Sequence, residues 1–384
     1  MKNELIADVV RYAERIREDL HRHPEAAFQE TYATNLIRIC VEENAALAAQ
    51  AGAKLSLIPL EMDTGAVVLL DAGRENTIAL RGDIDAVSTE KGFLHLCGHD
   101  YHTASLLGAM RYLCMDAAEI PFNVLFIFQP AEESTDGAAA MLEHGLLEQL
   151  PQKPIRLFGI HNRPELPVGK IAVHRGALMA EKSNFRITFT GKAGHGGSPH
   201  HCVDPITAAA QFILAMQTVV SKNVDPMESA VCGVFSVHSG TEVNNPPDAA
   251  VLTGTIRALS HEAFLRMTDR VECIARSSAA CFECGRELEW IPLVPLLYNG
   301  DAIYETAKAA AAAVVGESGV VETEPTLASD DFAVFGQHIP SFYYWVGSGT
   351  DTGESRPWHD PGFCVAPGYL NIAIPLLIQS AVAK

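Results

Sequence analysis

The chain has 384 residues, 48% of them hydrophobic and 20% charged, which marks a folded globular protein too long for one comfortable core, so two domains are expected. Its 28 Lys and Arg stand against 47 Asp and Glu, and this formal net charge of −19 argues against non-specific binding to nucleic acid or an anionic membrane. The longest apolar runs, such as Val124–Phe128, fall far short of the roughly 20 residues that a membrane-spanning helix needs, and nine scattered cysteines lack the density of a disulfide scaffold.

The N-terminus places Leu5, Ile6, Val9, Val10, Ala13, Ile16 and Leu20 on one helical face and carries acids early. This is unlike the continuous apolar segment of a signal peptide, and the expectation is a cytoplasmic protein with reduced thiols. Next come strand-like stretches at Ala66–Leu70, Thr77–Arg81, Asn123–Gln129 and Arg156–Ile160, with helical periodicity over Thr103–Ala118. The alternation predicts a layered α/β domain, in which polar residues just after strands line the cleft. Asp83, Asp85, Glu132, Glu133 and His161 all fall at such positions.

From residue 182 the texture changes. Asn184–Thr190 alternates like a half-exposed strand, Gly191–Ser198 is a glycine-rich turn presenting His195, and Pro205–Val220 reads as a helix. Strands at Ala230–Val237 and Ala250–Ala258, a helix at His261–Cys281 and a strand at Leu288–Leu293 complete a β-α-β-β-α-β order. The expected organisation is a catalytic domain over 1–181 and 293–384, with a mixed sheet, and an inserted ferredoxin-like α+β domain over 182–292.

The chemistry concentrates at Cys97-Gly98-His99-Asp100 and Glu132-Glu133. A lone Cys-x-His is commonly core packing, and two adjacent carboxylates are commonly an acidic loop. Here His95, Cys97, His99, Asp100 and His102 crowd within eight residues before a helix, and burying them needs a cation or mutual pairing. Thiolate and neutral imidazole suit zinc and other late divalent ions, and one carboxylate of the Glu pair can bind metal while its neighbour moves protons. Asp83 and Asp85, two apart on an extended segment, share a side and suit binding a metal or orienting a ligand imidazole, while without their neighbours a surface turn is almost as good a reading. His161 and His359 are individually uninformative. Cys281-x-x-Cys284 has no second half-site and reads as unpaired thiols, and no Gly-x-Ser-x-Gly elbow occurs.

Taken in order, six motifs resemble the M20 metallopeptidase family, in its amidohydrolase branch of N-acyl-amino-acid, hippurate, indoleacetyl-amino-acid and N-acetyl-diaminopimelate hydrolases. They are Leu20–Glu30, Leu80–Ala86, Cys97–His102, Gln129–Glu133, Gly159–His161 and Gly194–Gly196. The resemblance implies two divalent metals, zinc or manganese with cobalt or nickel as alternatives, held by Cys97, His99, Glu133, His161 and His359, with Cys97 bridging. It implies Glu132 as general acid and base, Asp85 as the residue orienting a ligand, and His195 as an oxyanion donor in its own or a partner subunit. Asn244 and Arg257 would grip substrate oxygens. The implied partners are a small N-acyl amino acid and a second copy of the chain, the insert acting as lid and dimerisation surface.

Alternatives within enzymes are N-acetyl-diaminopimelate deacetylation and, more distantly, decarbamoylation; outside them, a catalytically silent protein that binds metal and an acylated metabolite, or a metal-free scaffold. Three departures from the family pattern bear on specificity. Only Ala86–Leu96 separates Asp85 from Cys97, Tyr101 stands where a small residue is usual, and Pro246-Pro247 replaces an apolar-Pro pair.

Overall fold

Apolar spacing at the N-terminus produces the amphipathic helix α1 (Asn3–Arg22) in the computed structural model, which describes residues 3–350 and 355–384. Met1 and Lys2, where the helical reading begins, lie outside the described residues. Val9, Val10, Ala13, Ile16 and Leu20 form its buried stripe. In α2 (Thr31–Gln50) the first turn is held by Glu25, whose carboxylate accepts the Thr31 hydroxyl and the Tyr32 and Ala33 N–H groups. An anion there complements the unpaired amides of a helix start.

In chain order there follow β1 (Lys54–Ile58), β2 (Ala66–Asp71), β3 (Thr77–Asp83), β4 (Val87–Thr89), β5 (Gly92–Leu94), α3 (His99–Met115), β6 (Asn123–Gln129), α4 (Gly137–Glu143), β7 (Arg156–Pro167) and β8 (Ile171–Ala172). Then come β9 (Gly176–Met179), β10 (Glu181–Thr190), α5 (Pro205–Asn223), β11 (Ala230–Ser239), β12 (Ala249–Ala258), α6 (His261–Cys281), β13 (Gly285–Val294) and β14 (Leu297–Asn299). The last stretch holds α7 (Asp301–Val315), β15 (Val320–Val321), α8 (Phe332–Gly336), β16 (Ser341–Gly349) and α9 (Leu370–Val382).

The chain divides into two compact units. The larger comprises the chain up to Gly176 with Tyr298–Glu324 and Asp331–Lys384, and the smaller Ala177–Leu297 with Pro325–Asp330. In the larger, a mixed sheet runs β1-β2-β6-β3-β7-β16-β8-β15. β6, β3, β7 and β16 are mutually parallel, and β2 and β1 are antiparallel additions at one edge. Every residue of β3 and β6 is buried, as expected of parallel strands covered on both faces. Parallel alignment also brings the carboxyl ends of β3 and β6 level with the middle of β7, so that Asp83, Gln129 and His161 lie along one rim.

On one face α1, α3 and α9 pack a continuous core. Leu106, Leu107, Met110 and Leu113 of α3 are fully buried there, each worth about 1.5–3 kcal/mol of apolar transfer. At Gly108 the helices approach so closely that a Cβ would stand 2.7 Å from Ile374 Cδ1.

In the smaller unit the sheet order is β11-β12-β10-β13, all antiparallel, with two intervening helices, which is the ferredoxin-like arrangement expected of the insert. Phe185, Ile187 and Phe189 alternate inward along β10 against Phe212 and Met216 of α5 and Met267 and Val271 of α6. Asp204 and Ser260 cap these helices by accepting the Ile206 and Ala263 N–H groups.

Several boundaries differ by a few residues from those the sequence suggests, and two of these differences matter for the site. Helix α3 starts at His99 rather than Thr103, because Gly98 adopts a left-handed conformation (φ 88°) that turns the chain directly into the helix. Strand β7 runs through His161 to Pro167 instead of ending at Ile160, because β16 pairs along it and sets Trp345 opposite His161.

Candidate metal centre

The rim of the larger unit collects side chains from five segments. Cys97 and His99 flank the Gly98 turn, Glu132 and Glu133 follow β6, His161 lies on β7, and His359 arrives on the segment after β16. Asp85 stands just beyond β3. The structure brings Cys97, His99 and His161 into one group, Cys97, Glu133 and His359 into a second, and His99, Glu132 and Glu133 into a third, with the donor atoms in each group within 4.8 Å of one another. The first two groups share Cys97.

The histidines are oriented by their other nitrogens. His99 Nδ1 lies 3.0 Å from Asp85 Oδ1, which leaves Nε2 facing Asp83, Glu132 and Glu133 oxygens, each 3.8 Å away. The second Asp85 oxygen accepts the Glu133 N–H at 2.9 Å, so this carboxylate fixes both a ring and the Glu pair. His161 donates from Nδ1 to the Asn162 carbonyl at 2.8 Å and turns Nε2 to Cys97 Sγ at 3.5 Å. His359 Nε2 is 3.5 Å from Glu133 Oε2, and its N–H donates to the Leu96 carbonyl at 2.9 Å. Its φ of 65° is a left-handed conformation that histidine tolerates better than most residues.

His99 Nε2 and Glu133 Oε1 are both buried without a hydrogen-bond partner. Leaving a donor or acceptor unpaired at such depth is unfavourable by about 1–3 kcal/mol each, and a divalent cation removes both penalties. Burial pushes the Cys97 thiol up to about 12. Burial also opposes charge on His99, but Asp83, Cys97 and Asp85 prevail and hold it well above its usual range. Burial, with His102 beside it, holds His161 far below that range. A thiol, an imidazolium among carboxylates and a neutral imidazole form the pattern that a dication would neutralise by displacing protons. The donor set therefore fits two divalent ions, one with thiolate and two imidazoles, the other with thiolate, carboxylate and imidazole.

The crowding around residue 100 resolves largely into pairing. His102 contacts Asp83 Oδ1 through Nδ1 at 2.7 Å and accepts the Asn162 N–H at Nε2 at 3.1 Å, so neither nitrogen is left for metal. Asp100 pairs with His21 at 2.8 Å, and His95 is buried with Nδ1 unpartnered. Asp83 turns to Arg81 and His102, which with His99 hold its carboxyl far below the usual range against the opposing effect of burial.

In the smaller unit His195 and Asn244 line one open cleft of about 840 Å³ with residues of the 239–247 turn, and the Gly196 N–H donates to the Asn244 carbonyl at 2.8 Å. His195 Nδ1 accepts the Gly197 N–H at 3.0 Å, which leaves its proton on Nε2. Arg257 does not line that cleft; its guanidinium donates to the Leu327 carbonyl at 2.8 Å.

Sequence reasoning gives no role to Glu30, which enters only as the end of the Leu20–Glu30 motif, or to Asn162 and Trp358. Glu30 is fully buried, and its Oε1 accepts the N–H of Ala131, the left-handed residue (φ 57°) that delivers the Glu pair. Asn162 directly follows His161 and Trp358 directly precedes His359, so position was the available signal for both.

A family model described as Peptidase family M20/M25/M40 matches residues 79–374. The chain is 37% identical over 381 residues to an N-acetylcysteine deacetylase of Bacillus subtilis, covering 96% of this chain and 95% of that protein. It is 32% identical to an N-acetyldiaminopimelate deacetylase of Priestia megaterium, with 95% and 96% covered. Among solved structures, a dinuclear metal binding peptidase of the M20 family from Bacillus subtilis superposes with a TM-score of 0.80 at 32% identity, over 98% of each chain.

Proposed function

The chain belongs to peptidase family M20/M25/M40 and is a metal-dependent amidohydrolase, and we propose that its substrates are N-acyl amino acids, N-acetylated ones first. The carrying observation is the pair of donor groups that share Cys97, with Glu132 beside them. The similarity to deacetylases of N-acetylcysteine and N-acetyldiaminopimelate supports the acyl-amide class.

In this reading Cys97, His99, Glu133, His161 and His359 hold two divalent ions, zinc or manganese foremost, with cobalt or nickel also compatible with the donors. When bound, such ions supply a water nucleophile at neutral pH and Lewis acidity at the scissile carbonyl. Glu132 takes the proton of the attacking water and returns it to the departing amine nitrogen. Asp85 keeps the His99 ring in place through its 3.0 Å contact. His195 offers Nε2–H to the developing oxyanion, and Asn244, which lines the cleft with His195, grips substrate carboxylate or carbonyl oxygens, as does Arg257 through the guanidinium N–H groups that its bond to the Leu327 carbonyl leaves over.

The chain acts in this reading as a cytoplasmic homodimer. Its cysteines are free thiols, and no helix among the described residues is long and apolar enough to cross a membrane. Edge strand β11 exposes Val231, Phe235 and Val237, an apolar edge suited to a second copy.

The test is turnover of acyl-amino acids, N-acetyldiaminopimelate included, by metal-reconstituted protein and by Glu132→Gln. The variant should lose turnover by at least about a hundredfold and keep its metal. Loss of metal from the variant refutes the proton-transfer role, and ligand binding without turnover in the wild type favours a silent binding protein.

A further inference from the structure

Asn162 uses every polar group it has. It lies fully buried on β7, one residue past His161. Its N–H donates to His102 Nε2 at 3.1 Å, its carbonyl accepts His161 Nδ1–H at 2.8 Å, and its side-chain amide donates to the Cys97 carbonyl. Its Oδ1 accepts Trp358 Nε1–H and Ser348 Oγ–H, each at 3.2 Å.

We propose that Asn162 is a positioning residue that ties the Cys97 arm of the metal centre to the His359 arm. The inference rests on the ligand assignment above. One bond ends on Cys97 itself, one on the residue before His359, and one on the ring of His161. Trp358 is also set against the site by its ring, stacked on Trp345 at 5.5 Å and edge-on to His161 at 5.2 Å. The Gly98 turn is shaped around the same amide: a Cβ at Gly98 would stand 2.4 Å from Asn162 Nδ2. A residue that merely filled the core would have no reason to bond two segments that lie on either side of the insertion in the chain. An apolar side chain of equal size would strand the Cys97 carbonyl and the Trp358 and Ser348 donors in the interior.

Groups that orient ligands from behind typically change metal affinity by about 10–100-fold when removed. The test uses cobalt(II) alone, with affinity measured by chelator competition and thiolate coordination followed by the sulfur-to-cobalt charge-transfer band. Wild type, Trp358→Phe, Asn162→Ala and the double variant are compared after circular dichroism confirms folding. Each single variant should bind at least about tenfold more weakly with an altered band. Because Trp358→Phe removes only the His359 arm, it should add nothing once Asn162 is alanine.

Equal weakening by Trp358→Phe in both backgrounds overturns the proposal, as does wild-type affinity and spectrum in the folded single variants. Should Asn162→Ala not fold, Trp358→Phe decides alone: weaker binding with an altered band supports the linkage, and wild-type behaviour overturns it. A wild-type protein with no charge-transfer band refutes the ligand assignment itself, and the linkage with it.

Discussion

Glu30→Gln should stabilise the protein at alkaline pH and leave the advantage small in mild acid. The Glu30 carboxyl is wholly buried, and burial raises it from 4.5 to about 7, against the backbone N–H groups of Glu30 itself and Ala131 and the Thr64 hydroxyl, with a further push from Asp85. Its Oε1 takes the Phe28 N–H at 3.0 Å and the Ala131 N–H at 2.8 Å, and both donors sit in left-handed conformations that the bonds help to hold. The native state therefore binds this proton more tightly than the unfolded chain does. Stability falls as pH rises from about 4.5 to about 7, and the full penalty applies above that. At about 1.4 kcal/mol per pH unit the penalty reaches about 3 kcal/mol, of which about 2 kcal/mol accrues between pH 5.5 and pH 8. Glutamine keeps an oxygen for both amides and has no charge to desolvate. Urea unfolding of the metal-free protein at the two pH values should show the gap between variant and wild type widening by about 2 kcal/mol towards pH 8. A gap that stays constant, or one that narrows, refutes a raised Glu30 and means that the carboxylate is stabilised as an anion.

Gly98→Ala should destabilise the folded chain by about 2–5 kcal/mol in the same assay, since it combines a left-handed alanine with displacement of a buried amide from the Cys97 carbonyl; stability within 1 kcal/mol of wild type would contradict this geometry. Zinc added to metal-free protein at pH 8 should release about one more proton per chain from wild type than from Cys97→Ala, because burial keeps that thiol protonated until a cation displaces the proton. Equal release in weakly buffered solution, read with a pH indicator, would mean that Cys97 is not a ligand. Phe235→Glu on the exposed β11 edge should shift the chain from dimer to monomer in sedimentation, and a wild-type profile would locate self-association elsewhere.

Helices and strands with strong local periodicity are readable from the chain alone. α1, α5, α6 and the alternation of β10 follow from apolar spacing that tertiary contacts reinforce. The ends of α3 and β7 are not, because one depends on a left-handed glycine whose neighbour is 64 residues away and the other on a partner strand from near the C-terminus. The same distinction holds at the rim. Cys97, His99 and the Glu pair draw notice by their own crowding and chemistry, whereas His161 and His359 are individually uninformative and enter only through the family resemblance. Glu30, Asn162 and Trp358 resemble ordinary polar or aromatic residues until folding joins Glu30 to Ala131, 101 positions away, and Asn162 to Trp358, 196 away. His102 shows the reverse, since its chemistry suggests a ligand while Asp83 and Asn162 occupy both nitrogens.

The interval between His161 and His359 also bears on biosynthesis. Chains emerge from the ribosome N-terminus first, and domains tend to fold as they appear. Cys97, His99, Glu133 and His161 are all made before the insert, whose four strands and two helices pair among themselves and need nothing that comes later for their own core. β16, which lies between β7 and β8, and His359 arrive only after it. A chain stalled within the insert holds four of the five candidate ligands but lacks the strand beside His161 and the donor that completes the second group. The second donor group is thus completed only by a residue made after the insert, whereas the first is complete before it.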